Sequence, residues 1–194
     1  MKNYEVIYAD PPWSFSSRLL STPAGGSEWK SLEKHHYPTM RLDEMKNLEV
    51  EKISKENAVL FLWTTDAHLP EAIALMKSWG FVYKTVAFNW IKMKSDMTLS
   101  GKMGTWTVKS GEICLLGTRG KPYYLAENRK QRQVLFAPRK EHSKKPNEVR
   151  ERIELMVPNA KRIELFAREK HPNWDSWGNE VESDIGLTRI PTKP

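Results

Sequence analysis

The sequence predicts a single α/β domain built on a mostly parallel sheet with helices on its faces. Three observations carry that reading. At 194 residues the chain is long enough for one full core and too short for two comfortable ones. Apolar runs such as Ala58-Val59-Leu60-Phe61-Leu62-Trp63 suit strands covered on both faces. These runs alternate with segments of helical period, and strand, helix, strand in that order makes a right-handed crossover and a parallel sheet.

Tyr4 to Ala9 reads as an apolar strand running into Asp10-Pro11-Pro12-Trp13. Prolines cannot continue a sheet ladder, and they restrict the backbone that presents Trp13. An acid at the carboxyl end of a buried parallel strand lies where open α/β sheets place their ligands. Residues 14 to 36 are rich in Ser, Gly and Lys and read as a mobile binding loop. His35-His36 within it have no carboxylate or cysteine at ligand spacing, so we read them as surface residues. Leu42, Met45 and Leu48 share one face of a short helix. A second helix covers His68 to Trp79, with Leu69, Ile73, Leu75, Met76 and Trp79 apolar and Gly80 as its stop.

Phe81 to Ile91 is the next strand, and residues 93 to 108 form a polar, glycine-bearing loop that carries Lys94, Lys102 and Trp106. A strand over 111 to 117 places Cys114 in the core, and a short strand covers Gln133 to Phe136. Pro146 opens a helix with Val149, Ile153 and Met156 at helical spacing, and Pro158-Asn159 closes it. Arg162 to Ala167 is the last clear strand. We divide the chain into a domain over 1–180 and a weakly patterned tail over 181–194, partly disordered or laid over the surface.

Hydrophobic residues make up 39% of the chain and charged residues 28%, ordinary values for a globular protein, and no apolar run approaches bilayer length. The N-terminus passes into a strand without a signal-peptide apolar region, so an intracellular location is expected. One cysteine excludes an internal disulfide and a cysteine zinc site. The net charge of +7 is concentrated: between Arg119 and Lys145 nine basic residues face two acids, a balance equal to the excess of the whole chain. Arg119, Lys121, Arg129, Lys130 and Arg132 are interleaved with Tyr123 and Tyr124, a pattern that suits a polyanion with stacking bases and equally a solvated surface.

The Asp10-Pro11-Pro12-Trp13 stretch has a specific chemical use. An exocyclic amine on a nucleobase is a poor nucleophile because its lone pair is delocalised into the ring. A carboxylate can accept one of its N–H groups and a proline-held carbonyl the other, steering the lone pair at an electrophile. An aromatic beside them can stack on a base taken out of its duplex. No metal or covalent nucleophile is required.

With these residues the chain resembles the beta-class adenine-N6 methyltransferases, the D-P-P-W family that includes the catalytic subunit of the eukaryotic messenger-RNA writer and small phage and bacterial relatives. The resemblance runs from Asp10 to about Glu180. It includes Tyr37-Pro38-Thr39-Met40, Trp79-Gly80, Asn89-Trp90-Ile91-Lys92, Ser143-Lys144-Lys145-Pro146, Arg162-Ile163-Glu164-Leu165-Phe166, Pro172-Asn173-Trp174 and Gly178-Asn179-Glu180. It implies a Rossmann-like sheet in permuted motif order that uses S-adenosylmethionine and no metal, in the cytoplasm of a bacterium or phage-infected host, as monomer or homodimer. Asp10, Pro11, Pro12, Trp13 and Tyr37 would be the catalytic group, with Trp13 and Tyr37 lining the base pocket. Asp10, Lys145, Phe166, Arg168, Asn179 and Glu180 would meet the cofactor, Lys145 at its methionine carboxylate and Asn179 with Glu180 at its ribose. Phe166 serves equally as core and Asn179 as a turn residue. Lys102, Arg119, Lys121, Arg129, Lys130 and Arg132 would bind the nucleic acid.

The chain departs from the family in three places. An aspartate upstream of the motif strand recognises the cofactor adenine in the long eukaryotic members, and only nine residues precede Asp10 here; Asp184-Ile185 is the expected substitute. Ala167 stands for the family's glycine, with Glu169-Lys170 for its His-Asn pair, and Glu180 stands for its glutamine. DNA is the favoured substrate, by analogy with the small relatives. Three alternatives remain: adenine in RNA, a catalytically silent nucleic-acid-binding partner, and cytosine N4.

Overall fold

The computed structural model describes residues 2–13, 39–104, 106–139 and 144–187. Its elements run β1 (Tyr4–Ala9), α1 (Leu42–Lys46), α2 (Val50–Ile53), β2 (Ser54–Thr64), α3 (Leu69–Ser78), β3 (Val82–Met93), β4 (Lys102–Met103), β5 (Val108–Lys109), β6 (Gly111–Arg119), β7 (Val134–Pro138), α4 (Asn147–Met156), β8 (Arg162–Leu165) and β9 (Asp175–Trp177). Seven strands form one sheet in the order β7-β3-β6-β2-β1-β8-β9. The expected α/β class is what the chain adopts. The loops at 14–36 and Tyr37 lie outside the described residues.

Parallel pairs join β1 to β2 and β8, β3 to β7, and β8 to β9. The β2–α3–β3 unit runs both strands in one direction, yet β6 is inserted antiparallel between them. The physical reason lies in the connection: β3 returns into β6 through a tight ribbon, and a close return of this kind can only make an antiparallel neighbour. That ribbon, β4 paired with β5, occupies the segment read as a loop over 93–108.

Alternation along β1 splits the core into two. Tyr4, Ile7 and Ala9 face a layer with Leu60, Leu62, Leu75, Met76 and Trp79, under α1, α2 and α3. Val6 and Tyr8 face the other way, with Phe61, Trp63, Trp90, Cys114, Val149 and Ile153, under α4. Both faces are therefore covered, which is why the strands read as continuous apolar runs. Ile185 and Leu187 of the C-terminal segment pack into the first layer.

From β1 the chain moves one way across the sheet to β2, and from β8 the other way to β9. The β1/β8 crevice is thus a topological switch point, open at the carboxyl ends of both strands. Just past β9, a Cβ on Gly178 would lie 2.2 Å from the Ala167 carbonyl oxygen and 2.8 Å from its nitrogen. Only glycine allows Ala167 N–H to donate to the Trp177 carbonyl there, at 3.0 Å. Gly178→Ala is therefore expected to destabilise the fold by about 2 kcal/mol or more, lowering Tm by about 5 °C in a calorimetric scan.

Candidate active site

Asp10 follows β1 at the switch point, half-buried. Its Oδ2 accepts from Lys145 Nζ at 2.8 Å, and the same ammonium lies 3.0 Å from Glu112 Oε2 and 5.5 Å above the Trp63 ring. Glu112 also pairs through Oε1 with Lys92, whose ammonium sits 5.1 Å over Trp90. Charges thus alternate in a line: Asp10, Lys145, Glu112, Lys92. Each member comes from a different element, β1, the approach to α4, β6 and β3, so only the assembled sheet creates the line.

Lys145 is 8% exposed. Burial works against its charge, but Asp10 and Glu112 outweigh burial and hold it above the usual lysine range. At Glu112 burial pushes the carboxyl up, and Lys145 and Lys92 outweigh that and hold it below the ordinary glutamate value of 4.5. A carboxyl depressed on folding binds fewer protons in the native state than in the unfolded one. Its stabilisation is therefore present above pH 4.5 and lost as pH falls through the folded value. Glu112→Gln is expected to flatten the fall of stability below that pH, measured by denaturant titration from neutral pH downward.

Trp13 is fixed from two sides. Its indole N–H donates to the Trp63 carbonyl at 3.0 Å, and its ring stacks on His68 at 5.5 Å and 19°. Its backbone N–H donates to the Pro11 carbonyl at 2.9 Å, closing a three-residue turn about Pro12. A carbonyl has two lone pairs, so Pro11 keeps one for a substrate N–H. The Pro12 carbonyl accepts from Met40 N–H at 3.1 Å, which brings the chain back beside Trp13. Trp63 is the wall behind this turn, its indole N–H held by Tyr8 Oη at 2.7 Å.

On the far side of the crevice Phe166 leaves β8 with φ 60, the left-handed region that costs a bulky residue about 1–3 kcal/mol. Its ring meets Trp177 edge-on at 5.5 Å. Arg168 lies 3.8 Å from Glu180, with Asn179 exposed on the same turn after β9. Asp184 is a clip: it accepts from Ser176 N–H at 2.8 Å and pairs with Lys170 at 3.1 Å.

The residues expected to bind nucleic acid do not form one surface. Lys102 lies on β4, at the Asp10 end of the sheet. Arg119 pairs opposite Ala58, four residues further along β6 than Leu115, which is level with Leu62 and so with Ala9. That places it about 13 Å towards the other end of the strands, where it pairs with Glu51 at 2.8 Å. Lys121 follows on the same rim, its N–H donating to Asn57. Arg129 donates to the Tyr123 carbonyl at 3.1 Å, beside the segment bound to the end of α4 at Met156. Lys130 and Arg132 continue from it towards β7. Composition could reveal this cluster but could not reveal that β6 carries Arg119 and Lys121 away from Asp10. Neither Lys92 nor Glu112 was given a site role from the sequence; the pairing of β3 with β6 is what brings them to the site.

A family model described as MT-A70 matches residues 4–180. The chain is 37% identical to the type II methyltransferase M.MunI of a Mycoplasma species, over 99% of this chain and 83% of that protein. It is 32% identical to an N(6)-adenosine-methyltransferase MT-A70-like protein of Arabidopsis thaliana, over 92% of this chain and 24% of that one. Identity to the human N(6)-adenosine-methyltransferase catalytic subunit METTL3 is 27%, over 92% of this chain and 28% of that protein. The chain thus spans most of the first relative and about a quarter of the others.

Proposed function

We propose, from the premise that the chain belongs to the MT-A70 family, that it transfers a methyl group from S-adenosylmethionine to the exocyclic N6 amine of adenine in DNA. The observation that carries the chemistry is the half-buried Asp10 carboxylate, paired with Lys145 at 2.8 Å in a turn that also presents the Pro11 carbonyl and the Trp13 ring. DNA is preferred because identity to the type II methyltransferase, at 37%, is higher than to the adenosine methyltransferases, at 32% and 27%.

The donor set of the crevice fits the cofactor. An amino acid end carries an ammonium and a carboxylate, and Asp10 beside Lys145 offers the opposite charge to each. Arg168, Asn179 and Glu180 form the polar rim at the other end of the crevice, where they would hold a ribose. When bound, S-adenosylmethionine supplies a methyl group on a positively charged sulfur, an electrophile that needs only an aligned lone pair.

The chain's own residues provide that alignment. Asp10 accepts one amine N–H and the Pro11 carbonyl the other, so the lone pair turns out of conjugation with the ring. Because the Lys145 ammonium is fixed against Asp10 before substrate arrives, little reorganisation is left for the reaction itself. Trp13, locked by Trp63 and His68, stacks on the flipped base. Asp10 is the nearest carboxylate to receive the proton that the amine gives up.

Incubation with methyl-labelled cofactor and matched DNA and RNA pools, followed by nucleoside digestion, is expected to return N6-methyldeoxyadenosine. Label confined to RNA moves the substrate to RNA, and label in cytosine overturns the assigned base. Absence of both label and cofactor binding heat favours a silent partner.

A further inference from the structure

Among the described residues β4 and β5 stand apart from the main sheet, as a two-stranded ribbon growing from its catalytic end. Ser100 N–H donates to the Lys92 carbonyl at 2.8 Å, and Lys92 N–H to the Ser110 carbonyl at 2.7 Å, so the ribbon is rooted on the residue that pairs with Glu112. Register puts Lys102 opposite Lys109 and Met103 opposite Val108. One face therefore carries two lysines and the other two apolar side chains. Met103 is 79% exposed, and Trp106 in the connecting turn is 94% exposed.

An isolated two-stranded hairpin is marginal in water, and like charges placed opposite one another weaken it further. Yet its sequence is shaped for a tight ribbon: a Cβ on Gly101 would lie 2.4 Å from Val108 Cγ1, and one on Gly104 2.8 Å from the Thr107 carbonyl oxygen. An exposed tryptophan and methionine on such a scaffold mark a surface that meets something else.

We propose that this ribbon enters a groove of duplex DNA beside the target adenine, with its lysine face on the phosphates and Trp106 and Met103 on base edges, so that it helps set the recognised sequence. The proposal rests on the DNA reading above. Three observations favour a duplex over a second copy of the chain. Between residues 94 and 109 Lys94, Lys102 and Lys109 face one acid, Asp96, so two copies of the ribbon would repel while a polyanion is attracted. The major groove, about 12 Å wide, admits a two-stranded β-ribbon. And Lys109 lies 3.8 Å from Asp66, in the turn that carries His68 against Trp13, so the ribbon leans over the mouth of the base pocket.

The test uses the full chain, a fluorescent duplex for anisotropy and a duplex pool with randomised flanks whose methylated members are sequenced. Lys102→Ala with Lys109→Ala is expected to reduce the slope of log affinity against log salt by about two. Trp106→Ala is expected to lower flank preference about tenfold, with Trp106→Phe retaining part of it and cofactor binding heat unchanged in every variant. An unchanged salt slope and unchanged flank preference overturn the proposal. So does sedimentation showing that Trp106→Ala turns a dimer into a monomer while the DNA salt slope stays intact. If the wild-type chain binds cofactor and duplex but methylates no DNA, the functional reading fails separately, and the anisotropy arm still decides whether the ribbon meets a duplex.

Discussion

Asp10→Asn is expected to lower the rate of methyl transfer by about 10²- to 10³-fold, the loss seen when one preorganised electrostatic contact is removed from a reaction centre. The substitution keeps the shape of the side chain and changes two things. An amide carries no charge to draw the amine N–H, and its NH₂ group can present donors where the substrate needs an acceptor. The fold should tolerate it, because Lys145 keeps Glu112 at 3.0 Å and the prolines and Trp13 are held by contacts that do not involve Asp10. The decisive measurement is single-turnover transfer at saturating cofactor and DNA, with thermal unfolding alongside. A near-normal rate would remove Asp10 from the mechanism. A lost rate with an unfolded protein would instead make Asp10 a structural member of the charge line.

The centre of the site was legible in the sequence because its parts are contiguous. Asp10 to Trp13 sit in one stretch, and strand pattern alone placed them at the carboxyl end of a buried parallel strand, where open α/β sheets bind ligands. The apolar runs of β1, β2 and β8 were equally plain, since strands covered on both faces leave no polar alternation to confuse them. What escaped was long-range pairing. Glu112 on β6 and Lys92 on β3 meet Lys145 only because β6 inserts antiparallel between β2 and β3, and no local period encodes that order. The placement of the basic residues was hidden for the same reason: composition found Arg119 and Lys121, but the direction of β6 decides which end of the sheet they occupy. β9 was missed because three residues carry too little pattern, and the left-handed backbone at Phe166 because glycine is the usual mark of that conformation.

Lys145→Met carries the second large effect, and it separates two roles that one ammonium performs. Methionine fills the buried volume beside Trp63, so packing is largely kept, but the Asp10 and Glu112 carboxylates lose the cation between them. Removing one partner of a buried ion pair costs about 3–5 kcal/mol, and Lys92 at Glu112 offsets only part of this. The sign with pH follows from the shifts. Lys145 is raised, so its stabilisation is full below the ordinary lysine value of 10.5 and lost as pH rises through the folded value. Glu112 is depressed, so its share is lost in acid. The wild-type chain should therefore be most stable between these limits, and Lys145→Met should lose the part of that plateau that the ammonium supplies. Cofactor affinity gives the independent reading: if Lys145 meets the methionine carboxylate, calorimetry should show a loss of about 100-fold, near 2.7 kcal/mol, even at a pH where the variant is fully folded. A variant that is destabilised but binds cofactor normally would confine Lys145 to holding Asp10, and the carboxylate would then need another cation, for which Lys92 of the same charge line is a candidate.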